Sequence, residues 1–236
     1  MNRFLSFLLL ILLSFFSNQA IAQFDEAPKK LEKNTGYVGL LFSYSQNSKE
    51  NSKVLLDNVK YSKSSSTSVN TGGGYFFKEN FAVGMGVTFD SNLSEAESIN
   101  TFGPNTLSDS EVFSWFFNPF IRNYFPIGQR NQFYIFTQTG LEYGFGNGTE
   151  TAETGNTKED YDISERSYGI AFTPGMIFLV KQGFAFELNV GVVGIERTEK
   201  KKISSDPDVL PEIQNSTKAN LNINLLQLNL GLSYYF

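Results

Sequence analysis

Three charged side chains stand in stretches that are otherwise uncharged: Arg122 in "FFNPFIRNYF", Glu142 in "TGLEYGFG" and Glu187 in "FAFELNVG". The two carboxylates could in principle share general acid and base work. The rest of the chain offers such chemistry little support. It contains no histidine, the commonest general base and metal ligand, and no cysteine, so neither a thiolate metal site nor a disulfide framework exists. Glu142 and Glu187 therefore read more simply as residues facing an enclosed space, paired with Arg122 or with neutral amides. No catalytic residue, metal site or cofactor is assigned. "TGGGYF" and "GFGNG" have glycine spacings that superficially suggest phosphate loops. Neither opens a helix, and glycines that relieve crowding are the better account.

The elements that position these charges come after a leader. "MNRFLSFLLLILLSFFSNQAIAQ" has a basic Arg3, an apolar run from Phe4 to Phe16 and the small residues Ala20 and Ala22 before Gln23. That pattern predicts a secretory signal over 1–22, cleaved after Ala22, followed by a short N-terminal segment over 23–34. Losing Arg3 takes the formal charge from −5 to −6, which disfavours nucleic acid as a partner.

From residue 35 to 236 the apolar residues recur with period two, in blocks of strand length. Val38, Leu40, Phe42 and Tyr44 share one face of the first block, and Leu228, Leu230, Leu232, Tyr234 and Phe236 share one face of the last. The spacing predicts eight strands. Connections alternate long (46–64, 91–110, 147–165, 196–218) with short (78–80, 126–131, 181–183), placing four long loops at one end and three tight turns at the other. This asymmetry belongs to an up-and-down transmembrane β-barrel. A bulge is expected near Asn224, where the alternation changes phase.

Composition decides which face is inside. Opposite the apolar face lie mostly Gly, Ala, Thr, Ser, Asn and Gln, which suit the crowded interior of a narrow eight-stranded barrel. The apolar face then looks outward, and its solvent is lipid. Tyr44, Tyr75, Phe77, Phe113, Trp115, Phe125, Phe133, Phe145, Tyr234 and Phe236 fall near strand ends, where interfacial aromatic girdles belong. Arg122 lies just before one tight turn and Glu187 just after another, so both occupy the tight-turn half, with Glu142 well above. An Arg122–Glu187 pair, direct or bridged by an amide, is expected to plug the lumen together with Phe120, Tyr134, Phe136 and Tyr235.

On "GYFFKENFAVGMGVTF" (74–89), "NPFIRNYFPIG" (118–128), "TPGMIFLVKQGFAFELNVG" (173–191) and the closing "GLSYYF", residues 35–236 resemble the small outer-membrane β-barrel domain family (OmpA/OmpX-like) of Gram-negative bacteria. The resemblance implies an all-β, eight-stranded antiparallel barrel in the bacterial outer membrane, with long extracellular loops and short periplasmic turns. Gly231, Tyr234 and Phe236 resemble the C-terminal signal read by the barrel assembly machinery, although position 230 is Leu where that signal has a polar residue. Enzymes among outer-membrane barrels place a catalytic histidine beside Ser, Glu or Asp, and this chain has none.

The expected role is therefore non-enzymatic: a porin-like cell-envelope barrel, monomeric, embedded in outer-membrane lipid, with a structural or surface-interaction function carried by its loops. A surface ligand would be taken by the four long loops, two of which are acidic, through Glu95, Glu97 and Asp109 and through Glu150, Glu153, Glu159, Asp160 and Asp162; that acidity could bind divalent cations or basic partners but is more simply read as keeping the surface soluble. The alternatives are a small or gated pore, and an accessory barrel of a secretion or envelope-assembly system.

Overall fold

The computed structural model describes residues 31–54, 57–99, 104–128, 132–180, 183–190, 193–220 and 228–236. Ala20, Ala22 and the expected bulge near Asn224 lie outside these residues. The described secondary structure is strand in ten segments: β1 (Gly36–Val54), β2 (Asp57–Lys78), β3 (Phe81–Ile99), β4 (Thr106–Ile127), β5 (Phe133–Thr154), β6 (Thr157–Leu179), β7 (Phe184–Val190), β8 (Val193–Ser204), β9 (Glu212–Asn220) and β10 (Leu228–Tyr235).

The segments make eight lines and one closed ring. β1 through β6 pair antiparallel in sequence order. β7 and β8 lie end to end along the same edge of β6, and β10 and β9 continue along β7 and β8 respectively. β1 then pairs with β10, from Tyr37↔Tyr235 to Phe42↔Leu230. Gly36 and Phe236 exchange both backbone hydrogen bonds, each at 2.9 Å, so no strand of the ring is left with an open edge at this end.

The long connections differ from the expected loops. Among the described residues, most of 46–64, 91–110, 147–165 and 196–218 is strand, and the β5–β6 ladder runs unbroken to Thr154↔Thr157. Gly155 turns this hairpin at φ 62°, a value that favours glycine. These stretches lack apolar alternation because they have no lipid to face. Their serines and threonines still suit a ladder whose bonds come from the backbone.

Within the ring the faces separate as the side-chain period requires. On β4 the outward residues from Phe113 to Phe125 and on β5 those from Phe133 to Phe145 are predominantly apolar, and all ten aromatics expected in girdles are exposed. Each stretch is 12 residue steps long. At about 3.4 Å per step and a tilt of about 40°, that makes a belt about 30 Å tall, the thickness of a bilayer's hydrocarbon. Water could not be the solvent of so continuous an apolar surface.

Candidate functional site: a plugged lumen

The inward face is built in two levels. At the tight-turn end, Tyr37, Phe76, Tyr124, Tyr134, Phe136 and Tyr235 are buried together. Tyr37 stacks on Tyr235 with ring centroids 5.1 Å apart and meets Tyr124 edge-on at 6.5 Å. Rings of this size fit because glycines face them. A Cβ on Gly74 would lie 2.6 Å from the Tyr37 ring, and one on Gly175 would lie 2.3 Å from Phe136. Leu31 closes the mouth from below: it is 1% exposed, and its carbonyl accepts from the Asn80 amide at 3.1 Å. Thr35 and Asn34 continue the seam through backbone bonds with Phe76 at 2.9 and 2.8 Å. The segment expected over 23–34 is thus, in its described part, stitched across the end of the barrel.

Arg122 and Glu187 meet above this aromatic layer. The guanidinium donates from Nη1 to Glu187 Oε2 at 3.1 Å, and its Nη2 stands 3.1 Å from Oε1. It also donates to Gln138 Oε1 from Nε at 2.8 Å and Nη2 at 2.6 Å, and lies 4.2 Å from the centroid of the Phe136 ring. Ser233 donates to Glu187 Oε2 at 2.9 Å. The pair is buried on both sides, in a setting where a lone ion would cost several kcal/mol. Glu142 is not part of this group. It accepts from Asn118 Nδ2 at 3.1 Å, at the end of a relay in which Asn70 donates to Thr88 at 2.6 Å and Thr88 to Asn118 at 3.4 Å.

Asn70, Thr88, Asp90, Asn118 and Glu142 line part of a polar cavity of about 320 Å³ above the plug. Arg122 and Glu187 neutralise one another, so Asp90 and Glu142 leave this space negative. Among the described residues no cluster of three acidic side chains is placed to hold a metal ion.

Beyond the belt the strands are tied by charge. Lys202 donates to Glu150 at 2.8 Å and lies 3.8 Å from the centroid of the Tyr161 ring, while Lys60 donates to Glu97 at 3.0 Å on another hairpin. Hydrogen bonds to carboxylates hold two half-buried phenols in their protonated form: Glu95 pushes Tyr61 up to about 12, and Glu159 does the same for Tyr161. At the opposite end Tyr234 and Phe236 point outward, and Gly231 sits opposite Leu41 and Glu187.

Sequence reasoning missed Leu31, Tyr37, Gln138 and Ser233. Gln138 and Ser233 lie on the small polar face and were within reach of the alternation argument, but the register that brings them to Arg122 and Glu187 was not. Leu31 stands alone in "KKLEKN" and shows no period.

No protein-family model matches the chain, and no curated protein matches it. Two solved structures resemble it along most of their lengths. The outer membrane protein OprG from Pseudomonas aeruginosa is 14% identical, with 88% of this chain and 98% of that chain covered at a TM-score of 0.48. Ail, the attachment invasion locus protein of Yersinia pestis, is 13% identical, with 86% and 99% covered at a TM-score of 0.36. The barrel assignment itself stands on ring closure and the apolar belt.

Proposed function

We propose that this chain is a non-enzymatic outer-membrane β-barrel that keeps its lumen shut and acts through the hairpins it raises above the membrane. The observation that carries this reading is the plug: the tight-turn half of the lumen is filled by packed rings, a buried ion pair and the Leu31 cap. A barrel filled in this way offers a solute no path, so its contacts with the outside fall to the charged, strand-built hairpins. A chain without histidine or cysteine has little with which to build a hydrolytic site. On this reading the tight turns are periplasmic, the barrel is a monomer in lipid, and the terminal strand with Gly231, Tyr234 and Phe236 is the segment presented to the assembly machinery.

The polar cavity favours a second reading, a gated pore whose plug moves. Planar-bilayer recording separates the two. The refolded mature chain is expected to give no conductance steps, and to run on a cold gel as a compact band that slows after boiling. Removing Phe236 is expected to abolish that band, because Gly36 loses both its bonds to the terminal residue. Discrete conductance from the intact chain would overturn the closed-barrel reading.

A further inference from the structure

The upper edge of the belt is not uniform around the ring. Going up each strand from the top of its continuous apolar run, the next outward position is Gln46 on β1, Thr67 on β2, Ser91 on β3, Glu111 on β4 and Asn147 on β5. On β6 it is Arg166, after Tyr168, and on β8 it is Arg197, after Ile195. These two strands are neighbours, and they alone among those compared place a cation there.

The register fixes how the two arginines sit. Arg166 is opposite Phe145 on one side and Glu199 on the other. Arg197 is opposite Tyr168 on β6 and Thr217 on β9. They are diagonal neighbours across the β6–β8 ladder, about 7 Å apart at the backbone. Lys201 follows four residues above Arg197 on the same face, with Glu199 between them. Both arginines are exposed, and among the described residues neither side chain makes a hydrogen bond or ion pair, not even with Glu199. With Asp162 on β6 diagonal to Lys201, three cations stand against two carboxylates and leave this sector positive.

An arginine at the margin of hydrocarbon lays its methylenes along apolar neighbours and lifts its guanidinium toward the headgroups. Here the neighbours are Tyr168, Ile195 and Phe145, which are 50%, 53% and 40% exposed. The anion available at headgroup depth is phosphate, whose oxygens match the guanidinium fork. Resting on the reading that the barrel spans a membrane, we propose that Arg166 and Arg197, with Lys201 above them, bind the phosphate of an anionic lipid in the leaflet on the hairpin side. The β6–β8 sector would thereby carry a resident lipid that the rest of the circumference does not.

Native mass spectrometry of the refolded mature chain, released from micelles doped with phosphatidylglycerol or phosphatidylcholine, tests the site. The intact chain is expected to retain phosphatidylglycerol in preference to phosphatidylcholine. R166Q/R197Q should lose about tenfold or more in apparent affinity for phosphatidylglycerol. K63Q/K78Q removes the same charge from exposed positions on β2 and should keep the preference. Equal retention by the arginine variant, or equal loss in the lysine control, would overturn the site. A cold gel of each sample keeps the two levels of inference apart. An intact chain that is not heat-modifiable would bring down the membrane-barrel reading itself. A shifted band without the lipid preference would bring down only the lipid site.

Discussion

At the scale of single residues, Arg122 and Glu187 make the most exacting demand on the fold. Each is buried, so either alone would be an uncompensated charge in a ring of aromatics. E187Q is expected to lower unfolding stability by about 3–5 kcal/mol, read from the urea midpoint of the refolded protein, because Arg122 keeps its charge and loses the opposing one. R122M/E187M, which leaves neither charge, should recover most of that loss. An E187Q midpoint equal to wild type would mean that Gln138 and the surrounding rings suffice. Tyr161 supplies a test at the other end. Its pKa is raised from 10.0 to about 12 through Glu159, so the protonated phenol is favoured in the folded state. The associated stability is therefore complete below pH 10 and is lost as pH rises toward 12. Phenolate absorbance, isolated by subtracting Y161F, should titrate near 12, and E159Q should bring it back toward 10. A Tyr161 titration that E159Q leaves unmoved would remove the carboxylate as its cause. Arg122 and Glu187 could be matched from the sequence because each lies a few residues from a tight turn. Gln138 could not, since whether it meets Arg122 depends on the β4–β5 register, which no short-range signal states.

At the scale of elements, alternation was readable wherever lipid enforced it. The belt of β3, β4 and β5 has its period written in Val, Met, Phe and Trp. Above the belt, "SKSSST" and "TKEDYD" carry no apolar face, and a reader of periodicity takes them for loops although they are strand. Backbone ladders need no side-chain pattern, so these strands are held by hydrogen bonds and by pairs such as Lys202–Glu150. Native-state hydrogen exchange should detect this directly. Amides from Tyr161 to Ser167, laddered on both sides to β5 and β8, are expected to exchange as slowly as those of the belt. Exchange there within seconds, as in an open loop, would restore the loop description. The match of ring to glycine was equally hidden: Gly175 makes room for Phe136 from an adjacent strand, and composition shows only that both kinds of residue are abundant.

At the scale of the whole molecule, the eight-line ring, the facing of its surfaces and the plugged lumen were legible because a narrow barrel leaves few choices. Apolar residues must meet lipid, small ones must share the interior, and the final strand must find the first. What stayed out of view was the Leu31 cap, whose position depends on three-dimensional closure and not on any period. Closure has one more consequence. β1 to β5 form one half of the ring and β6 to β10 the other, and the halves meet along two separate seams, β5 with β6 and β10 with β1. A protease that cut the tip at Gly155 would leave two fragments, each still hydrogen-bonded to the other on both flanks. Severing the polypeptide there would divide the covalent molecule without dividing the wall.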